Sequence, residues 1–378
     1  MASLQEILRP QVLTRVISRM AAADGSLLRL FGMQAGGPSE THVGHGREGV
    51  YHVYNNVRTI GQGRAPGTPA GRTSRQKIGR VPFVYPRLHE QISLLAEELH
   101  NVGRIDNPAV RDQAGEDYIR RQTQTLAQRG SNWRTALLVG MLRDSLYVFE
   151  DGDTWYPSYT SASSLYQISF GMPAGNKSQL DMTGTGDLID TSWASTTTAN
   201  IPKQLLDINA AFQRLNGGML TDVILPVQQW SNIISNDFVS AVHGSATSPF
   251  TVFERKTETG PDGTQINEFA ARLITMPQVM FHVTDAGLEV GAPGSETFTK
   301  HVEDNNAIFI SRMPGVHTMY TGSEPISEYD NGPKTVKVGF SAWSKESSNP
   351  TSTEVFVLDN ALPVNEVPTS IAYGTVEF

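Results

Sequence analysis

The stretch VYHVYNNVRTIGQGRAPGTPAGRTSRQKIGRVPFVY, residues 50–85, carries two runs rich in Val, Ile, Tyr and Phe separated by GQGRAPGTPAGRTSR. Residues 50–60 and 76–85 read as strands, and the Gly, Pro and Ser of the intervening segment as their connection. A connection this long is unusual inside a compact domain, and an isolated two-stranded ribbon is only marginally stable in water. The pattern predicts a projecting hairpin that finds its packing partner outside its own domain.

Outward from the hairpin, the preceding GMQAGGPSETHVGHGREG, residues 32–49, is too rich in Gly and polar residues to bury a core and reads as an extended arm. Before it, Leu13, Val16, Ile17 and Met20 fall at helical spacing with Arg15 and Arg19 opposite, a short amphipathic helix. After the hairpin, Asn107 and Pro108 make a helix cap followed by proline at the first helical position. The apolar residues Ile119, Leu126, Trp133, Leu137, Met141 and Leu142 then mark a helix over about 108–145, with glycines at 115, 130 and 140 as candidate bends. Asp151-Gly152 sits between two short aromatic or β-branched runs and marks a second, tight hairpin.

Residues 160–200 are rich in Ser, Thr and Gly and are expected to be loops on the surface of the body. A helix over 203–215, closed by Asn216-Gly217-Gly218, a buried strand over 222–225 and a helix over 227–234 suggest a compact α/β lobe. From residue 270 onward, RLITMPQVMFHV, NAIFISRM, TVKVGFSAW and TEVFVL read as strands between turn clusters. The class is α+β.

Composition narrows the function. The chain has 378 residues, 34 of them Gly and 21 Pro, and no cysteine, so neither disulfides nor thiolate metal sites contribute and cytoplasmic folding fits. A formal charge of -8 argues against a protein whose main task is to neutralise nucleic-acid phosphate. The charge is also unevenly placed. Residues 1–100 hold 12 Lys and Arg against 7 Asp and Glu, leaving 18 against 31 for the remainder. A basic end and an acidic body suit nucleic-acid contact, and equally suit an arm laid on an identical neighbour. Charged residues interrupt the N-terminal apolar positions where a signal peptide needs a continuous run, and no segment has the length of a membrane span.

The stretches RVPFVYPRLHEQISL, DQAGEDYIRRQTQTLAQRGSNWRTALLVGML, YVFEDGDTW, YQISFGMPA, TDVILPVQQWSNII and ALPVNEVPTSIAYGTV follow one another in this order. Through them, and through the order of elements over nearly the whole chain, the sequence resembles the major capsid proteins of tailed bacteriophages, in particular the lambda-type family with the HK-like capsid fold. The segment from Gly175 to Ala199 looks extended relative to that pattern.

The resemblance implies an N-terminal arm at 1–45, an extended loop at 46–86, and a peripheral domain at 87–199 built on the spine helix. It further implies an axial α/β domain at 200–340 and C-terminal strands at 341–378 returning to the peripheral domain. It implies a structural protein rather than an enzyme, without cofactor or metal, forming hexamers and pentamers of an icosahedral virion shell assembled in the host cytoplasm. Its implied partners are other copies, a separate scaffolding protein, a portal, a decoration protein and packaged double-stranded DNA contacted without sequence preference; no membrane is implied. An encapsulin-like nanocompartment would share the fold with a protein cargo. A different class, a β-rich carbohydrate-active enzyme, is suggested only by Trp155, Trp193, Trp230, Trp343 and scattered carboxylates.

Within the expected extended loop, Arg47, Arg58, Arg64, Arg72, Arg75, Lys77 and Arg80 face Glu48 alone. With Val53, Val57, Ile78, Val81 and Phe83 interleaved, these residues are the candidate inter-subunit contact, in which charge sets orientation and apolar burial with strand pairing supplies affinity. A head-to-tail contact of this kind closes into rings where the rotation permits.

Other motifs carry less. His42, His45 and His52 lie in Gly-rich surroundings without Cys or paired carboxylates, a poor zinc set. Asp151-Gly152-Asp153 and Pro261-Asp262-Gly263 lack the further ligands of a calcium loop and read as turns. Gly61-Gln62-Gly63 lacks the rest of a dinucleotide fingerprint. Lys77, the only lysine in the first 100 residues, would be the donor if shells were cross-linked covalently, with Asn360 or Asn365 as acceptor; a noncovalent shell is the expectation.

Overall fold

The computed structural model describes residues 26–42, 46, 48–54, 78–95, 108–151, 154–159, 166–243, 255–259, 265–273, 276–292, 294–327, 334–348 and 351–378. The helix expected around Leu13 to Met20 lies outside the described residues, as do both candidate turns at 152–153 and 261–263.

The chain enters through α1 (Ser26–Phe31) and β1 (Glu40–His42), then forms the ribbon of β2 (Glu48–Tyr54) and β3 (Ile78–Val84) and the strand β4 (Arg87–Leu95). The long helix α2 (Pro108–Arg143) follows, beginning at the proline that the cap signal placed at the first helical position. It leads into β5 (Leu146–Asp151), β6 (Thr154–Ser158), β7 (Tyr166–Ile168) and the two-residue β8 (Lys177–Ser178). The second lobe opens with α3 (Ile201–Leu215), β9 (Asp222–Leu225), α4 (Val227–Ile234) and α5 (Asp237–His243). It continues through β10 (Arg255–Thr259), β11 (Gln265–Ala271), β12 (Met280–Val283), β13 (Gly287–Val290), β14 (Thr297–Lys300) and β15 (Asn306–Ile310). The chain then returns through β16 (His317–Thr321), β17 (Ser323–Ser327), β18 (Lys334–Val338), β19 (Ser341–Ser348), β20 (Thr351–Asn365) and β21 (Ile371–Thr375).

Two apolar cores organise these elements. The first lies between α2 and a five-stranded sheet in which β20 pairs with β19 and β4 along its first half and with β16 along its second, β1 adding a parallel edge to β16. Leu126, Leu137, Leu138, Met141 and Leu142 of α2 are buried here with Leu94, Val355, Val357 and Leu362. At roughly 1.5–3 kcal/mol for each fully buried apolar side chain, this layer is the main force holding α2 to the sheet. α2 runs unbroken through Gly130 and Gly140; at both, a Cβ would run into a neighbour, the Phe340 ring and Leu146 respectively. These glycines admit close packing, which is why a helix this well buried carries them.

The second core lies between α3, α4 and α5 and a seven-stranded sheet in the order β10-β11-β12-β9-β15-β21-β8. Asn200 caps α3 by accepting a hydrogen bond from the Lys203 amide at 3.1 Å, and Gly217, at φ +80°, turns the chain out of its end.

The chain crosses between the two cores more often than divisions at 200 and 340 anticipate. Leu180, Met182, Ile189, Trp193 and Ala199 are buried in the second core, β16 belongs to the first sheet, and β21 belongs to the second. Residues 166–200 are largely irregular and partly exposed, as a surface loop would be, yet they are not loose. They are irregular in backbone but fixed at buried anchors, Trp193 above all, whose indole donates to Gln204 Oε1 at 2.7 Å and meets the Phe309 ring edge-on. The N-terminal arm expected at 1–45 is packed on the body where it is described. Leu27, Leu28, Phe31 and Met33 are buried in the first core.

Candidate assembly surface

The β2–β3 ribbon makes no ladder with a third strand among the described residues. Its register pairs Tyr54 with Ile78, His52 with Arg80, Val50 with Pro82 and Glu48 with Val84 on one face, and Val53 with Gly79, Tyr51 with Val81 and Gly49 with Phe83 on the other. Burial follows this alternation. Tyr51 is buried and Val53, Val81 and Phe83 are half-buried, whereas Glu48, Val50, His52, Ile78, Arg80, Pro82 and Val84 are all exposed. The apolar members of the outward face are 47 % (Val50), 52 % (Ile78) and 47 % (Val84) exposed.

The inward face ties the ribbon to the body. Phe83 packs edge-on against Tyr85 at 4.8 Å and tilted against Tyr51 at 5.8 Å, and its ring lies across the Cα of Gly49, where no side chain would fit. At one end the Tyr54 amide donates to the Glu366 carbonyl at 2.8 Å; at the other the Gly46 amide donates to the Ser323 carbonyl at 3.1 Å. The ribbon is thus rooted by aromatic packing and two long-range backbone bonds, with its opposite face bare.

The candidate contact residues divide accordingly. Ile78 and Arg80 point outward; Val53, Val81 and Phe83 belong to the rooting face. Arg58, Arg64, Arg72, Arg75, Lys77 and Val57 lie outside the described residues. Val50, Pro82 and Val84, which the sequence reading did not single out, complete the outward patch. The signal that could have found them is the period of two: once Tyr51 is assigned inward, its neighbours Val50 and His52 must point out.

A second ribbon, β17–β18, stands beside the first, sharing the Gly46–Ser323 junction. Its inward face is held by Glu324, which accepts from Arg87 Nε at 2.9 Å, and by Lys337, whose ammonium lies 5.9 Å from the centre of the Trp343 ring. Its outward face carries Pro325, Val336 and Val338, all exposed.

Charged clusters fix the N-terminal segment beneath these ribbons. Arg134 on α2, fully buried, donates to Asp359 on β20 and to Glu40 on β1, the latter at 3.1 Å. Arg312 donates to both oxygens of Asp222 at 3.1 and 2.6 Å and from Nη1 to the Leu30 carbonyl at 2.9 Å. Asp222 also contacts His282 Nε2 at 3.0 Å. Burial opposes its charge, but the bonds from His282 and Thr221 and the nearby Arg312 outweigh it and hold the carboxyl below its ordinary range. His317, edge-on to Phe31 at 5.5 Å, is lowered to about 4 by burial and by Arg312.

Several of the remaining motif residues fall within the described part of the chain. No group of His, Cys, Asp and Glu among the described residues could hold a metal ion; His42 Nδ1 meets the Thr321 carbonyl at 3.0 Å, and His52 lies opposite Arg80 on the exposed ribbon face. Trp193, Trp230 and Trp343 are buried, and the side chain of Trp155 lies outside the described residues. Asn360 and Asn365 are buried in β20, the first donating to Glu324 and the second accepting from Val367 and Ser370. Among the described residues, no helix is long and apolar enough to cross a membrane.

No protein-family model matches the chain, and no curated protein matches it. Among solved structures it is similar to a phage-related protein from Bordetella bronchiseptica RB50, at 11% identity and a TM-score of 0.47 over 96% of both chains. It is similar to the putative capsid protein of a prophage of E. coli CFT073, at 12% identity and a TM-score of 0.45 over 79% of this chain and 80% of that one. A third is the encapsulin complex of Synechococcus elongatus PCC 7942, at 9% identity and a TM-score of 0.42 over 89% and 85%.

Proposed function

We propose that this chain is the major capsid protein of a tailed-phage head, a structural subunit that assembles as hexamers and pentamers into an icosahedral shell around double-stranded DNA. The observation that carries the reading is the β2–β3 ribbon, rooted by Tyr51, Phe83 and Tyr85 on one face and bare at Val50, Ile78 and Val84 on the other. A two-stranded ribbon with an uncovered apolar face gains its missing burial from another molecule. The strongly basic connection between its strands and the acidic remainder of the chain supply the orientation for a copy of the same protein.

In this reading residues 1–45 form the N-terminal arm, 46–86 the extended loop, 87–199 the peripheral domain, 200–340 the axial domain, and 341–378 the returning C-terminal strands. The chain is not an enzyme. Scaffolding, portal and decoration proteins are its partners, and packaged DNA touches it without base readout. The virion is its location.

An encapsulin-like shell would use the same surface, and the contents decide between the two. Negative-stain electron microscopy and sedimentation of the full chain, expressed with and without its neighbouring genes, test the reading: shells, tubes or capsomer rings are expected. A monomer under both conditions overturns it, and particles filled with an enzyme cargo in place of nuclease-protected DNA transfer it to the nanocompartment class.

A further inference from the structure

We propose that His317 is an acid-operated clasp for the N-terminal segment, its protonation lifting α1 off the body before the rest of the chain opens. The inference concerns the chain itself and stands apart from the shell reading.

α1 is tied to both lobes. Leu27, Leu28 and Phe31 lie in the first core, whereas the Leu30 carbonyl at its C-terminal end accepts from Arg312 Nη1 at 2.9 Å. Arg312 is in turn held by Asp222 on β9 of the second sheet. His317, the first residue of β16, stands at this crossing, buried and met edge-on by the Phe31 ring.

Hydrogen bonds fix the tautomer of His317. Asn365 Oδ1 accepts from the Val367 amide at 3.1 Å, which sets the orientation of that side chain, and the Ser370 hydroxyl gives its one proton to the same oxygen at 3.0 Å. Ser370 Oγ, 2.9 Å from His317 Nε2, therefore accepts from the ring, and the ring proton sits on Nε2. Nδ1 keeps its lone pair and is buried without a partner among the described residues. A second proton would enter there unbonded, where burial and Arg312 oppose positive charge and hold the ring at about 4. Asp222 favours the proton but is committed to Arg312 and His282, and Glu366 is turned to the Tyr320 hydroxyl. The groups in contact with the ring from the other elements, Phe31, Ser370 and Asn365, carry no charge.

Of the walls around the ring, α1 is the one that yields. β16 is paired with β20 along its whole length, and the 365–370 turn is held by the Ser311 and Ser370 amides. α1 has six residues and is tied at this point by a ring contact and by a bond from the same arginine that a charged imidazole repels. β1, beyond it, keeps its pairing with β16 and the Glu40–Arg134 pair, so the release is local. Lifting α1 brings water to the ring, whose affinity for a proton returns towards that of a free histidine. Opening is then favoured as pH falls below about 6.5, by about tenfold between pH 7.5 and 5.5 and severalfold more by 4.5.

Hydrogen–deuterium exchange of the full chain at pH 7.5, 5.5 and 4.5, corrected for the intrinsic exchange rate, reads this opening. Residues 27–33 are expected to be less protected than residues 134–142 of α2 at every pH, and to lose protection by the stated factors. His317→Gln keeps a donor towards Ser370 and cannot take up a proton, so its α1 profile should be level. Unchanged protection of residues 27–33 in the unmodified chain overturns the proposal, as does protection equal to that of α2 throughout, which would mean that α1 opens only with the whole chain. The same fall in His317→Gln assigns the proton to a carboxylate and also overturns it. Should His317→Gln fail to fold, Arg312→Gln decides: it removes both the bond to Leu30 and the repulsion, so α1 starts less protected and falls less by pH 4.5, and a fall as large as in the unmodified chain is contrary to the clasp.

Discussion

Arg134 in the C-terminal third of α2 donates from Nε and Nη2 to the two carboxylate oxygens of Asp359 on β20, at 2.6 and 2.9 Å, joining positions 225 residues apart in a site closed to solvent. Glu40 binds the same guanidinium, so helix, central strand and N-terminal segment meet at one charge. A buried pair is costly to break because the surviving partner stays desolvated and unpaired. Arg134→Ala is expected to lower unfolding stability by about 3–5 kcal/mol, whereas Arg134→Met with Asp359→Leu loses much less. Urea midpoints of the single and double variants measure the difference; equal losses would show that the charges do not act as a pair.

Gly130 on α2 should reverse the usual helix rule. On an open helix surface Gly→Ala stabilises by about 1 kcal/mol. Here the new Cβ meets the Phe340 ring, and Gly130→Ala is expected to destabilise by about 1–3 kcal/mol. Gly130→Ala with Phe340→Leu should recover part of the loss, which thermal unfolding of the three chains reads directly.

Two buried histidines set an acid limit on stability. His301 and His317 are both lowered to about 4, in each case chiefly by burial and then by a neighbouring arginine, Arg143 and Arg312 respectively. An unfolded histidine takes up its proton near pH 6.5, so between that value and about 4 the unfolded chain binds more protons than the folded one. Their contribution is complete above pH 6.5 and is lost as pH falls to about 4, roughly 3 kcal/mol for each site. Urea midpoints at pH 7.5, 5.5 and 4.5 should fall in sequence, and His317→Asn should flatten the slope; a level profile from 7 to 5 contradicts the burial of both rings.

The two faces of the β2–β3 ribbon should separate folding from assembly. Val84→Lys and Val50→Lys, both outward, are expected to leave monomer stability within about 0.5 kcal/mol while reducing particle yield severalfold. Phe83→Ala, inward, should cost about 1–3 kcal/mol in the monomer. Arg72→Glu with Arg75→Glu, in the connection, should impair assembly at low salt without a change in unfolding midpoint. Sedimentation of each variant beside its urea curve gives both quantities.

Some of this architecture was legible residue by residue. Asn107-Pro108 and the apolar spacing from Leu126 to Leu142 place α2, and β9 and α4 fall where an unbroken Val-Ile-Leu run meets Pro226 and an amphipathic stretch follows, because local signals fix local elements. The irregularity of residues 166–200 is legible but its anchoring is not, since Leu180, Met182, Ile189 and Trp193 are buried at intervals matching neither helix nor strand, and no periodicity announces an irregular segment pinned at separate points. The ribbon itself was visible in the Val- and Tyr-rich runs. Its outward patch was legible only at Ile78 and Arg80, because Val53, Val81 and Phe83 look as available as Val50 and Val84 until Tyr51 is seen to be buried.

The hydrogen bond from Tyr54 to Glu366 and the seat of Arg134 on Asp359 also govern timing. A ribosome that has made the ribbon and α2 has not yet made Asp359 on β20 or Glu366 just beyond that strand, the partners of Arg134 and Tyr54. The ribbon therefore has its Tyr51, Phe83 and Tyr85 packing early but lacks its bond to Glu366 until the chain is almost complete, and a fragment released early lacks that support. Under the proposed shell function, lattice incorporation would act as a check on full-length synthesis, leaving truncated products for proteolysis before they enter a growing particle as defective tiles.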